Sequence, residues 1–337
     1  MKKIITTTTI TVLFSIGVLL VGLVLSQNTK KTENFTVDEE KQDMKNLVIK
    51  NNLQAHGIEV VAPTDADFNA ELQQYTGKYN EVIPLVDGTK PFSFFIKNNS
   101  SKEVVGIALR WEFVKSNGEV QKSNQIETSP GVLMGIKPQD PFMIGKTSLI
   151  NNNSHRFMSY FSDIAQQLLN VFKSNTYKRF EYKLSSEQAQ NYISDVESRK
   201  RMIFKDVLNV SVFIDAIIFN DGTFIGDNQS FLFEQMSAMI QARRDFIKKL
   251  REAKQSGKSD TEAFNEFISR TGLTAADRQP TAKYPVNGKE AFDYTYKWQT
   301  ANYIDEVNRK RTITTDRFIL KDLLVVEDSS FIDLKRK

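Results

Sequence analysis

The chain has 337 residues, of which 40% are hydrophobic and 26% are charged, enough for one or two globular domains with a real core. Its net charge is +4, and Lys2 and Lys3 supply two of those charges, so the remainder is close to neutral and gives no reason to expect a nucleic acid partner. The absence of cysteine excludes disulfides, thiolate nucleophiles, cysteine-ligated zinc and iron–sulfur clusters.

The N-terminus has the pattern of an export signal. Lys2 and Lys3 precede an apolar stretch from Ile10 to Leu25, and Val24-Leu25-Ser26 fits a cleavage site before Gln27. With the threonine run at 6–9 included, the segment also reaches the length of a membrane-spanning helix. We therefore expect residues 1–26 to be a signal peptide or a retained membrane anchor, and the chain to be exported to the cell envelope.

Residues 27–55 are polar and charged, which predicts a linker between this segment and the folded part. Strand-like segments begin after it, at 58–62, 91–97 and 104–114. In the third, Leu109, Trp111 and Phe113 alternate with polar residues, which is typical of a half-buried strand. Asn117-Gly118 predicts a hairpin turn after it, with a weak return strand, and 138–144 resembles another strand.

The longest strand signal runs from Val207 to Phe219 and leads into FNDGTFIGDN. Two aspartates and two glycines in that stretch raise the question of a calcium loop. The fifth and twelfth positions counted from Asp221 are Ile225 and Leu232, which cannot supply the side-chain oxygens that such a loop needs. The stretch instead predicts a tight hairpin at Asp221-Gly222, followed by a helix capped by Asp227 or Asn228.

Apolar residues at spacings of three and four predict helices at 156–172, at 186–200 and from about 230 to 253. In the third, Phe233, Met236 and Ile240 belong to a wide apolar stripe that Arg243 interrupts. Ser259 and Glu262 form a capping box that begins a further helix, which ends at Gly272. Residues 289–337 are ambiguous: Phe292–Trp298 fits a strand or a helix, and Phe318–Val326 fits a strand.

The segments FSFFIKNNSSKEVVGIALRWEF and DAIIFNDGTFIGDN resemble those of exported bacterial proteins of uncharacterised function that have an immunoglobulin-like β-sandwich. The resemblance covers about half of the chain and implies a fold, but no activity. It leads us to expect an α+β protein in which an immunoglobulin-like antiparallel β-sandwich with helical insertions occupies residues 56–226. A mostly helical C-terminal region would occupy 227–337.

Few residues in the sequence indicate a catalytic, cofactor-binding or metal-binding site. His56 and His155 are the only imidazoles, and His155 lies in a polar stretch that is typical of a surface loop. The basic residues from Arg243 to Arg251 could contact anionic lipid, although a solvated helix face is the simpler interpretation. No nucleophile elbow, phosphate-binding loop, zinc-protease motif or dinucleotide fingerprint occurs. We therefore assign no catalytic, cofactor-binding or metal-binding residues.

Three functions remain open from the sequence. A non-enzymatic binding or structural module at the bacterial cell envelope, with an unknown protein or envelope ligand, fits the scarcity of chemistry best. The second hypothesis is a membrane-anchored adaptor whose apolar stripe at Phe233, Met236 and Ile240 docks a protein partner. The third is an envelope hydrolase that uses dispersed carboxylates, which would have to face each other across a pocket.

Overall fold

The structure is a computed structural model, and it describes residues 47–76, 92–136, 148–161, 206–273, 285–311, 314–324 and 326–337, together with Thr89 and several positions between 191 and 204. All of these residues belong to one compact unit that spans residues 44–337. The predicted export segment at 1–26, the predicted strand at 138–144 and most of the predicted helix at 156–172 lie outside the described residues.

In the described part of the chain, nine strands form two sheets. In chain order they are β1 (Leu47–Lys50), β2 (Ile58–Val61), β3 (Ser93–Asn98), β4 (Val104–Lys115), β5 (Val120–Thr128), β6 (Ser154–Ser159), β7 (Val207–Phe219), β8 (Thr223–Gly226) and β9 (Lys335–Arg336). The large sheet has the order β5-β4-β7-β8-β9, with β1 also beside β7, and the small sheet has the order β2-β3-β6. The β1–β7 and β8–β9 pairs are parallel, and the other pairs are antiparallel.

Five α-helices accompany these strands within the same described ranges. They are α1 (Phe68–Thr76), α2 (Leu232–Gln255), α3 (Asp260–Thr271), α4 (Gly288–Arg311) and α5 (Asp316–Leu324). Two short 3₁₀ turns lie at Gln54–His56 and Asp328–Ser330. The fold is therefore α+β, as the sequence predicted.

The two sheets pack face to face. Large apolar side chains at alternate positions of β4 and β7 point toward the small sheet and meet aromatic and aliphatic residues of β3 and β6, because successive side chains of a strand point to opposite faces. The core between the sheets includes Ile107, Leu109, Trp111, Phe113, Val212, Ile214, Ile217, Phe94, Ile96 and Met158. Trp111 is fully buried there, as predicted, and its indole nitrogen donates to Gln125.

Each sheet has a second layer on its outer face. The other face of the large sheet packs against α2, and α2 in turn packs against α3, α4 and α5. On the small sheet, Phe68 and Leu72 of α1 cover Phe95 and Phe157, and the rings of Phe68 and Phe95 lie 5.4 Å apart. The order of layers is therefore α1, small sheet, large sheet and C-terminal helices.

The hairpin predicted at Asp221-Gly222 is confirmed. β7 pairs with β8 through Ala216–Gly226, Ile217–Ile225 and Ile218–Phe224. Gly222 has φ +82°, and a Cβ placed on it would clash with the carbonyl oxygen of Asp333 in the chain that leads to β9. Glycine is needed at this position both for its backbone conformation and for the close approach of the C-terminal segment.

The helix signals between 230 and 272 are also confirmed. Met236 and Ile240 of the predicted stripe are buried in the core between α2 and the large sheet, and Phe233 is half-buried against it. Ser259 and Glu262 form both hydrogen bonds of the capping box, and Gly272 ends α3 with a left-handed conformation. The described positions 191, 194, 198 and 199 are helical, as predicted.

Several predicted elements were wrong. Residues 47–50, which the sequence placed in the linker, form β1, because Leu47 and Ile49 pack against the core between the sheets. Residues 154–159, at the start of the predicted helix 156–172, form β6 and pair with β3. Residues 316–324 form α5 where a strand was predicted, and the ambiguous 292–298 lie within α4. β5 is a full nine-residue strand, although its polar sequence predicted a weak one.

The immunoglobulin-like arrangement is not confirmed. The large sheet is mixed rather than purely antiparallel, since β1 and β9 join it in parallel. These two strands also come from outside residues 56–226, to which the sequence assigned the sandwich.

Candidate interaction surface

The helix-side face of the large sheet divides into two halves. Near the β7–β8 turn the face is lined by Gly106, Ala108, Ala216 and Ile218, and α2 packs on it; we call this the covered half. A Cβ on Gly106 would lie 3.2 Å from Met236 of α2, so small residues are what allow the helix to approach.

Farther along the same strands, no described helix covers the sheet; we call this part the open half. The register places three successive rungs of side chains on it: Val120, Val114 and Asn209; Lys122, Glu112, Ser211 and Val48; and Asn124, Arg110, Phe213 and Lys50. Each rung contains one residue from β5, β4 and β7, and β1 contributes to two of them. The surface is therefore built on four hydrogen-bonded strands, which hold its side chains at fixed spacing.

A β-bulge marks the change from the covered to the open half. Ala108 is paired with Ala216, whereas the next residue, Leu109, is paired with Ile214, so Asp215 is the extra residue of β7. A bulge bends its strand and increases the local twist. The two halves of β7 thus do not lie on one flat surface.

Positive charge dominates the open half. The Arg110 guanidinium lies 4.2 Å from the centre of the Phe213 ring, and Lys50 Nζ lies 4.6 Å from the centre of the same ring. Glu112 is the single carboxylate in the three rungs, and its Oε1 lies 3.5 Å from Lys122 Nζ and 3.8 Å from Arg110 Nε. Three cations and one anion leave a net charge of about +2 on this half.

Exposed apolar side chains cluster around the outer end of the open half. The described residues include five exposed large hydrophobic side chains, namely Val48 (47% exposed), Val120 (47%), Leu208 (40%), Met202 (70%) and Val286 (65%). Val48 and Val120 lie on the open half itself, and Leu208 is near the start of β7. Three of the five are therefore at one end of the large sheet. Met202 instead precedes Phe204, whose ring packs in the core between the sheets, 5.7 Å from that of Phe113.

Asp215 has a structural role that the sequence analysis missed. Its buried carboxylate accepts hydrogen bonds from the backbone N–H groups of Gln229 (3.1 Å) and Ser230 (2.8 Å), and from the Ser230 hydroxyl (2.6 Å). Asn228 Oδ1 then accepts from Phe233 N–H at the start of α2, although the N-cap position itself is Phe231 and not the predicted Asp227 or Asn228. An acidic residue inside the apolar second half of β7 was the signal that could have revealed this junction.

Asp221, the first residue of the rejected calcium loop, forms a salt bridge with Lys102, with 2.6 Å between Oδ2 and Nζ. It also accepts a hydrogen bond from Thr223 N–H. Partial burial raises the pKa of Asp221, but the hydrogen bonds from Lys102 and Thr223 outweigh that effect and lower it. Across the described ranges, no group of three or more histidine and acidic residues is placed to hold a metal ion.

His155 lies on β6 rather than in a surface loop, opposite Lys97 of β3. Its Nδ1 is 2.6 Å from Glu71 Oε2, and Lys97 Nζ is 2.5 Å from Glu71 Oε1. The hydrogen bond to Glu71 raises the pKa of Lys97, although burial opposes it. This cluster fixes α1 on the small sheet, and its carboxylate is already engaged by two basic side chains.

The basic face predicted on α2 is divided among structural contacts. Arg243 is fully buried and donates from Nε to the Met134 carbonyl at 3.1 Å. Arg244 pairs with Asp333, and Arg251 pairs with Asp328. Arg244 and Arg251 tie α2 to the C-terminal segment and Arg243 ties it to the chain after β5, so these three residues do not form a continuous basic surface.

Comparison with known proteins gives no match to any family model, curated protein or solved structure. None of the helices in the described part of the chain is both long and apolar enough to cross a membrane.

Proposed function

We propose that the protein is a non-enzymatic binding or structural module at the bacterial cell envelope, and that it binds its partner through the open half of the large sheet. The observation that carries the proposal is the combination, on one rigid four-stranded surface, of a net positive charge with exposed apolar side chains. Such surfaces on soluble proteins mark interaction sites more often than they mark chemistry.

The scaffold supports this proposal. Both faces of the small sheet and one face of the large sheet are covered by packed side chains, so the open half is held from behind by a core that includes Trp111 and Phe113. Exported sandwich domains commonly bind through sheet faces, edges and loops. The immunoglobulin-like resemblance of the sequence supports this mode of binding and no particular activity. The export pattern at residues 1–26 supports the location.

The two other hypotheses gain less support. The adaptor hypothesis relied on an exposed stripe, but Met236 and Ile240 are buried against the large sheet. The hydrolase hypothesis needs two facing carboxylates, one of them with a raised pKa. The described carboxylates with a shifted pKa are Glu119, Asp221 and Glu262, and each is shifted downward.

To test the location, the full-length chain is expressed, and the protein is recovered from the cytoplasmic, membrane and soluble envelope fractions. The intact mass of the protein in each fraction is then measured. We expect it in one of the two envelope fractions. A mass that begins at Gln27 in the soluble envelope fraction means a cleaved and free module, and a full-length mass in the membrane means a tethered one. Recovery of the full-length chain from the cytoplasm alone would overturn the proposal.

A further inference from the structure

We infer that the partner of the open half is an anionic lipid bilayer, on which the exposed apolar end of the large sheet rests. The inference depends on the proposed envelope location and names the partner of the same surface. It assigns the attraction of anionic headgroups to Lys50, Arg110 and Lys122, which the fold places together although they are distant in the sequence.

The apolar component has the form that a lipid surface requires. Val48, Val120 and Leu208 are each at least 40% exposed and are distributed around one end of the sheet rather than gathered in a pocket. Side chains of this kind insert shallowly at the boundary between headgroups and acyl chains. A folded protein partner would instead favour a compact apolar centre with a polar rim.

The charged component provides the attraction to anionic headgroups. Lys50 and Lys122 lie on opposite edges of the open half, on β1 and β5, with Arg110 between them on β4. Glu112 offsets one of these charges. Basic residues close to an anionic membrane are attracted to it over about a Debye length, and this attraction weakens as salt rises.

The same charge argues against a second copy of this chain as the occupant. Two open halves brought face to face would each contribute a net positive charge, because each has three basic residues and one acidic one. Like charges placed opposite each other disfavour association. An extended acidic polypeptide satisfies the charge but leaves the ring of exposed aliphatic side chains without a role.

The point at which the chain enters the large sheet fits an orientation in which the open end of the sheet faces the membrane. β1 runs parallel to β7, with Leu47 beside Val210, so the chain enters the sheet at its open end. An anchor N-terminal to β1, if retained, would therefore be connected to the sheet through its open end.

The absence of cysteine allows a direct test with the full-length chain. Single substitutions Val120→Cys, Leu208→Cys and Val286→Cys each carry one environment-sensitive dye. Val286 is the control, since it is also exposed, to an even greater extent, but lies just before α4, where Gly288 packs against Glu234 of α2. Each labelled protein is reconstituted into phosphatidylcholine vesicles with or without phosphatidylglycerol and with a lipid-bound quencher.

In vesicles that contain phosphatidylglycerol, we expect at least a twofold stronger quenching of the dyes at 120 and 208 than of the dye at 286. About 0.5 M salt should reduce the difference, because it screens the charges. The double variant Lys50→Gln/Lys122→Gln should lower quenching at 120 to its value in neutral vesicles. Lys289→Gln, which removes an exposed lysine from α4, should leave quenching unchanged.

Equal quenching at 120 and 286 in both kinds of vesicle would overturn the inference. A dye at 120 that responds to polyglutamate but not to phosphatidylglycerol would overturn it in favour of an acidic polypeptide. The vesicle experiment does not depend on where the cell places the chain. Recovery from the envelope without differential quenching would refute only the lipid partner, and recovery from the cytoplasm would refute the proposed function.

Discussion

The covered and open halves of the large sheet share β4 and β7 but have opposite side-chain chemistry. Along β4, Gly106 and Ala108 of the covered half are followed on the same face by Arg110 and Glu112 of the open half. Along β7, Ile218 and Ala216 give way to Phe213 and Ser211. Small residues allow a helix to pack closely, whereas the longer Arg110 and Glu112 side chains lie along the open half with 13% and 22% of their surface exposed.

The comparison shows that the face of a strand need not have one environment along its length. The inward-facing residues of β4, from Ile107 to Phe113, are buried throughout, so their apolar character indicates only that the two sheets pack together. The change from small to charged residues on the outward face indicates where the packed helices end. The change at Ala108–Arg110 coincides with the bulge at Asp215, where the strand bends.

The largest expected effect distinguishes the turns at the two ends of the sheet. Gly222 and Gly118 both have φ +82°, but a Cβ on Gly222 would clash with Asp333, while a Cβ on Gly118 would contact nothing within 4 Å. We expect Gly222→Val to lower the free energy of unfolding by about 4 kcal/mol or more, and Gly118→Val by about 1–2 kcal/mol. Urea denaturation measures both, and equal losses would mean that the C-terminal segment does not pack on this turn.

The second prediction compares one apolar residue from each half. Ile218 is fully buried between the sheet and α2, so Ile218→Ala should cost about 3 kcal/mol through lost burial and the cavity left behind. Phe213 is half-buried on the open half, so Phe213→Ala should cost about 1 kcal/mol despite removing a larger side chain. A loss at Phe213 as large as that at Ile218 would mean that the open half is covered in solution.

The third prediction concerns the junction between the bulge and α2. Asp215→Ala removes the acceptor for three hydrogen bonds in a buried site, so we expect a loss of about 2–3 kcal/mol. Asp227→Ala is the matched control, because Asp227 is exposed in the same connection, and it should change stability by no more than about 0.5 kcal/mol. Similar thermal melting of the two variants would contradict the role assigned to Asp215.

The smallest expected effect is pH-dependent. Because the pKa of Asp221 is lowered in the folded state, its salt bridge with Lys102 stabilises the protein above about pH 4 and loses that contribution as the pH falls further. Both side chains are well exposed, so the contribution should be under about 1 kcal/mol. Asp221→Asn should be slightly less stable than the parent at pH 7, and the gap should narrow by pH 3. A difference in stability between the two proteins that widens at low pH would contradict this pH dependence.

The sequence predicted the parts of the fold in which local signals and burial agree. β4, β7, the Asp221-Gly222 hairpin and the capping box at Ser259 all combine a periodic apolar pattern with turn or cap residues. The strand predicted at 318–326 failed because its apolar residues also fit α5, where Ile319, Leu320 and Leu323 pack against α3 and α2. β5 was underestimated because an edge strand with one partly exposed face contains few apolar residues.

The candidate surface could not have been predicted from the sequence. Lys50, Arg110 and Phe213 come from three strands that are widely separated in the chain, and only the register brings them together. β1 lies within a segment whose composition indicated a linker, so nothing in the sequence indicated that Val48 and Lys50 belong to the surface of a sheet. Hydrophobic periodicity identifies buried faces, but it carries no information about which exposed residues become neighbours.

The position of β9 affects how the protein can complete its fold. Its two residues lie beside β8, where Lys335 N–H donates to the Gly222 carbonyl and Lys337 N–H donates to the Phe224 carbonyl. The large sheet also takes β1, where Leu47 pairs with Val210, so both of its parallel pairs join segments that are far apart in the sequence. Such high contact order slows folding and leaves strand edges unpaired until the distant segments have met. An incompletely folded chain therefore exposes unpaired strand edges and needs protection against aggregation until β1 and β9 have joined the sheet.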